Sequence, residues 1–131
     1  KIQSSTQAFY GSDRNVNVIG FAKDNATRAG VTDLCHFSPT QVSNLERPEG
    51  PAGLVIVNPP YGARIGKKKD LFALYGSFGD VMREKFKGWR VGMITSDTQL
   101  AEATRLPWKP SEAPIAHGGL KVKLFQTDVL R

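Results

Sequence analysis

Cysteine is nearly absent from this chain: Cys35 is the only one among 131 residues, so no disulfide can close within it. Cys35 with the two histidines, His36 and His117, makes a poor four-ligand zinc set. A reducing, cytoplasmic compartment and no metal are therefore expected. Long apolar runs are missing as well. The longest, Gly53-Leu54-Val55-Ile56-Val57, falls far below the roughly 20 residues that cross a bilayer. The opening Lys1-Ile2-Gln3-Ser4-Ser5 has no apolar signal core, so no membrane association and no uncleaved secretory signal are expected. An initiator methionine is also missing, and a strand-like run, Ala8-Phe9-Tyr10-Gly11, follows within a few residues. The chain is expected to be a piece of a longer protein.

What is present fits one globular domain over residues 1–131: 40% hydrophobic residues, 23% charged, and 18 Lys plus Arg against 12 Asp plus Glu, a net charge of +6. A chain of this size buries roughly two thirds of its unfolded surface, enough for a core without covalent staples. Residues 7–12 read as a short buried strand ending at Asp13, after which Ile19, Ala22, Ala26 and Ala29 recur at helical spacing with Val18 beside them. Gly30 can take the left-handed conformation that ends such a helix. Residues 34–37 read as a second strand, closed by Pro39. The run Leu54-Val55-Ile56-Val57 has the continuous apolar character of a strand covered on both faces, and Asn58-Pro59-Pro60 ends it. From Asp70, the residues Leu71, Leu74, Tyr75, Phe78, Val81, Met82 and Phe86 form a helical stripe up to Gly88, and residues 90–95 read as a strand. Pro107, Pro110 and Pro114 argue against a further helix interior, and Leu120, Val122 and Leu124 alternate with Lys121 and Lys123 after Gly118-Gly119, as in a terminal hairpin. Alternating strands and helices predict an α/β layered fold with a mostly parallel sheet.

Two places carry chemistry. Asp13 falls where a strand meets a helix, and in open α/β sheets ligands bind beyond the carboxyl ends of strands. A carboxylate there accepts from both hydroxyls of a ribose; the plain alternative is that Asp13 caps the helix. Asn58-Pro59-Pro60-Tyr61-Gly62 is the stronger feature. Two consecutive prolines remove two N–H donors, so the loop offers acceptors, the Asn58 side-chain oxygen and the Pro59 carbonyl, while the Tyr61 ring offers a face for a base. Such a site suits the exocyclic amine of a nucleobase held in line with a methyl donor. The bland alternative is a tight turn. Arg64, Lys67, Lys68 and Lys69 follow the loop and could neutralise phosphates beside a flipped base, where a solvated helix start is the ordinary alternative. Trp89 and Trp108 are read as packing residues, His36 as a strand residue and Cys35 as a small hydrophobe.

Asn58-Pro59-Pro60-Tyr61 resembles motif IV of the S-adenosylmethionine-dependent amino methyltransferases. The longer Asn58-Pro59-Pro60-Tyr61-Gly62-Ala63-Arg64-Ile65-Gly66 is similar to the form in the RNA guanine-N2 methyltransferases that act on large-subunit ribosomal RNA, often fused to a THUMP domain. Gly11-Ser12-Asp13 with the helix through Ile19 and Ala22, the stretch from Leu74-Tyr75 to Trp89, and Gly118-Gly119-Leu120 with Leu124-Phe125-Gln126 agree with that family's second strand, fourth helix and closing hairpin, so the resemblance covers nearly the whole chain. It implies a Rossmann-like methyltransferase fold with a C-terminal antiparallel hairpin, S-adenosylmethionine as cofactor, and RNA, ribosomal RNA in particular, as partner. It places Asp13 at the ribose hydroxyls, Gln41 near the adenine where the family carries an acidic residue, Asn58 beside the cofactor as well as at the target, and Pro59, Pro60 and Tyr61 at the target amine and base. The family's first strand and glycine-rich loop have no counterpart here, so the chain is expected to be the C-terminal part of the catalytic domain, inactive alone. Two rival readings stand beside guanine N2: adenine-N6 transfer, which motif IV also serves, and a non-catalytic RNA-binding module.

Overall fold

The computed structural model describes residues 7–61, 68–110, 115–117 and 120–131. The chain divides into two compact units, Lys1–Pro48 and Glu49–Arg131.

In the first unit, strands β1 (Phe9–Asp13) and β2 (Cys35–Pro39) pair in parallel, with Phe9 opposite Cys35 and Asp13 opposite Pro39. Helix α1 (Val16–Ala29) connects them. Its cap is Asn15, whose side chain accepts from the N–H of Asn17 at 2.8 Å and of Val18 at 3.4 Å. The capping role considered for Asp13 therefore falls to its neighbour but one, and Asp13 supports it by accepting from the Asn15 N–H at 2.8 Å. The helix ends where expected, at Gly30 with φ 73°. Its buried face is narrower than the periodicity implies. Ile19 and Ala26 are buried and Ala22 half-buried, but Val18 and Ala29 are exposed. A sheet only two strands wide covers little more than one row of a helix.

The second unit contains β3 (Leu54–Val57), α2 (Lys68–Lys85), β4 (Arg90–Thr95), α3 (Thr98–Ala103), β5 (Ile115–His117) and β6 (Leu120–Gln126). The sheet order is β3-β4-β6-β5, with β3 parallel to β4 and the other neighbours antiparallel. The terminal hairpin is present; its turn residues Gly118 and Gly119 lie outside the described residues. Helix α2 buries Leu71, Tyr75, Phe78, Val81 and Met82, with Phe86 just beyond its end, so the stripe read from the sequence is the packed face. That face meets the side of β4 that carries Thr95, where alternation also sets the buried Val91 and Met93.

Strand β3 differs from expectation. Val55 and Val57, opposite Val91 and Met93, are half-buried, but Leu54 and Ile56 are 52% and 68% exposed. In the described residues one face of this sheet is covered by α2, and β3 is an edge strand with β4 as its one neighbour. Helix α3 has no counterpart in the periodicity reading. It is six residues long, capped by Asp97 accepting from the Leu100 N–H at 3.2 Å. Trp89 is buried edge-on against Phe86, and the Trp108 indole donates to the Ala101 carbonyl at 2.8 Å, so both tryptophans pack as read. No helix among the described residues is long and apolar enough to cross a membrane.

Candidate active site

In the first unit, Asp13 closes β1 directly opposite Pro39, the last residue of β2, and Gln41 lies two residues beyond. Both candidate cofactor residues thus follow the carboxyl ends of two adjacent parallel strands. Both are exposed. One Asp13 oxygen is held by the Asn15 N–H, and the carboxylate has no other hydrogen bond among the described residues. That fits the hydroxyls of a ribose, two donors that need an acceptor-only group. His36 is exposed and stacks on Tyr10 with ring centroids 5.1 Å apart, a strand-surface pair as its sequence reading implied.

In the second unit, Asn58-Pro59-Pro60-Tyr61 leaves the carboxyl end of β3, with Asn58 exposed and the other three half-buried. The Asn58 side chain has no hydrogen-bond partner among the described residues. The Pro60 carbonyl does have one: the Tyr75 hydroxyl, at 2.9 Å. Tyr75 stands on the buried stripe of α2, 1% exposed, and its oxygen is also 3.1 Å from Thr95 Oγ1 at the end of β4. Burial pushes the Tyr75 phenol up from its ordinary value; the hydrogen bond from Thr95 opposes this, and the nearby Asp97 carboxylate adds to it. The periodicity reading had Tyr75 only as one more apolar contact. The signal that marks it is chemical: a phenol in a buried stripe needs a partner for its oxygen.

Of the four basic residues, Arg64 and Lys67 lie outside the described residues. Lys68 and Lys69 open α2. The Lys68 ammonium is 3.6 Å from Asp97 and donates to the Gln99 side chain at 3.2 Å, with the Phe72 ring 5.7 Å away. This side chain already has intramolecular partners, though more than half of it stays exposed. Asp97 offsets a positive charge at the helix start, where the peptide dipoles disfavour one.

Parallel strands joined through helices, with an acidic residue after one strand and Asn-Pro-Pro-Tyr after another, define a Rossmann-like methyltransferase fold. The family model described as "RMKL-like, methyltransferase domain" matches residues 1–123, and the chain belongs to that family. It is 43% identical over 98 residues to the ribosomal RNA large subunit methyltransferase K/L of Shewanella sp. (strain MR-4), and 44% identical over 99 residues to the protein of that name from Aliivibrio salmonicida; each match covers 75% of this chain. The chain spans 14% of the length of these relatives. Among solved structures it resembles SMU.472, described as a methyltransferase and complexed with SAH, with a TM-score of 0.84 at 25% identity over 94% of this chain and 32% of that one. A protein from Listeria monocytogenes, described as a predicted N6-adenine-specific DNA methylase, matches with a TM-score of 0.73 at 30% identity over 89% of this chain and 29% of that one.

Proposed function

We propose that the protein transfers a methyl group from S-adenosylmethionine to the exocyclic amine of a nucleobase in RNA, guanine N2 of large-subunit ribosomal RNA. The carrying observation is the loop after β3, where among the described residues the Asn58 side chain and the Pro59 carbonyl have no partner while Tyr75 occupies the Pro60 carbonyl. Two acceptors, in a loop whose two prolines carry no N–H, suit an NH2 group, which has two hydrogens to give. The relatives' names, ribosomal RNA large subunit methyltransferase K/L, support a ribosomal RNA substrate. The open carboxylate of Asp13 suits the ribose hydroxyls of the cofactor, and the reading assigns Gln41 to its adenine and Asn58 to the amine and the cofactor. When bound, S-adenosylmethionine supplies an electrophilic methyl on a sulfonium sulfur.

The chain's residues then do positional work. Asn58 and Pro59 hold the amine through its two hydrogens, which turns its nitrogen lone pair toward the methyl. Pro59 and Pro60 keep the backbone from drifting, and the Tyr61 ring stacks on the base, worth about 1–3 kcal/mol. The cofactor would supply the methyl with its thioether as the leaving group, and the amine's surplus proton would leave to solvent. Arg64, Lys67 and Lys69 neutralise RNA phosphates, with Lys68 contributing through the exposed part of its side chain. Leu54 and Ile56 on β3 leave apolar surface exposed in the second unit, and Phe9 and Tyr10 on β1 do so in the first.

The test is methyl transfer by the full protein to ribosomal RNA, followed by nucleoside analysis of the product. N2-methylguanosine is expected. N6-methyladenosine would instead support the adenine reading, which the printed description of the Listeria neighbour favours. The Asn58→Ala variant is expected to lose at least about 100-fold in transfer, the cost of losing orientation, and to lose more in transfer than in cofactor affinity. RNA binding without cofactor binding or transfer would leave only the RNA-binding module.

A further inference from the structure

Hydrogen-bond direction along the chain of polar atoms beneath the loop is fixed by simple accounting. Pro60 has a carbonyl and no N–H, so the Tyr75 hydroxyl, 2.9 Å away, must donate to it. A phenol has one hydrogen. Thr95 Oγ1, 3.1 Å from the same oxygen, must then donate to Tyr75, and having committed its own hydrogen it accepts from the Asp97 N–H at 3.3 Å. The result is a one-way chain from the Asp97 N–H through Thr95 and Tyr75 to Pro60. Its two side chains are 0% and 1% exposed, and bonds aligned in this sense polarise one another. Among the described residues no other hydrogen bond reaches residues 59–61.

We propose that Tyr75 is a positioning residue for the Asn58-Pro59-Pro60-Tyr61 loop, with Thr95 setting the direction of its hydroxyl. By holding the Pro60 carbonyl inward, it leaves the neighbouring Pro59 carbonyl and the Asn58 side chain to face the target amine. A phenylalanine would fill the same place in the α2 stripe, so packing does not account for the oxygen. Burying a hydroxyl costs stability unless it is bonded, and here both of its bonds serve to tie the loop after β3 to the end of β4. Lys68 and Asp97 close a second tie between the start of α2 and the turn before α3, only two residues from Thr95. The proposal that this tie serves catalysis rests on the methyl-transfer reading above.

The experiment compares Tyr75→Phe, Thr95→Val and Thr95→Ser in the full protein. Steady-state transfer to ribosomal RNA, cofactor affinity and thermal melting are measured alongside the carbonyl 13C resonance of Pro60 in the cofactor-free protein. Tyr75→Phe is expected to lower kcat about 10- to 100-fold, the scale on which small misplacements act, with cofactor Kd within about twofold and the Pro60 resonance moved upfield. Thr95→Val is expected to show a smaller loss in the same direction, and Thr95→Ser to behave as the parent. A Tyr75→Phe protein with parental kcat overturns the proposal. So does a loss of kcat matched by weakened cofactor binding and a lowered melting point in all three variants, which marks a general structural role. A parent protein that transfers no methyl overturns the functional reading instead; the 13C arm then decides the tie, an unmoved Pro60 resonance overturning it and a moved one supporting it.

Discussion

At the scale of single residues, Tyr75 carries a consequence for stability as well as for the loop. Burial raises its pKa above 10.0, so the folded protein holds the phenolic proton more tightly than the unfolded chain does. A group shifted upward contributes stability that is complete below the unfolded value and lost as pH rises through the folded one. The denaturant midpoint of the parent is therefore expected to fall further above pH 10 than that of Tyr75→Phe, the two curves running parallel between pH 7 and 9; equal curves in the alkaline range would remove the linkage. At this scale the sequence was informative where chemistry is tied to backbone. Asn58-Pro59-Pro60-Tyr61 could be read without coordinates because prolines remove donors wherever they stand. Tyr75 could not, because its role depends on a carbonyl fifteen residues earlier and a hydroxyl twenty residues later.

At the scale of elements, α2 shows how tightly this unit is built. A Cβ added to Gly79 would lie 1.9 Å from the Thr104 carbonyl oxygen and 2.6 Å from its carbon, contacts with backbone that no rotamer change relieves. Gly79→Ala is thus expected to destabilise the protein by at least about 1–3 kcal/mol despite alanine's better helix propensity. Urea unfolding checks it, and a neutral or stabilising result would mean that α2 can move away from the segment after α3. Elements whose signal is local were legible: α1 stops at Gly30, β3 begins and ends with its apolar run, and β4 spans the residues 90–95 read as a strand. Helix α3 was not, because six residues give less than two turns of periodicity and its marker, Asp97 before Thr98, reads equally well as a turn.

At the scale of the whole chain, the apolar residues are not shared evenly. In the second unit Leu71, Phe78, Met82, Val91, Met93 and Leu100 are all buried, whereas in the first Phe9, Tyr10, Val16, Val18 and Phe21 are each more than 40% exposed and, among the described residues, only Ile19 and Ala26 are buried hydrophobics. A two-stranded sheet with one helix is marginal without further cover. The alternating pattern gave the order of strands and helices, but it could not say how many faces would be covered, because a run such as Leu54-Val55-Ile56-Val57 is written for two covered faces whether or not both covers belong to the same 131 residues. This leads to a measurable difference in local stability. Backbone amides of β1, α1 and β2 are expected to exchange with solvent at least about a hundredfold faster than those of α2 and β4, because opening the first unit exposes little that is not already in water, while opening the second exposes most of the buried apolar surface. Hydrogen exchange on the 131-residue chain reads this directly. Equal protection in both units would mean that the first gains cover from surfaces other than its own, and that the exposed aromatic residues of β1 are buried in solution.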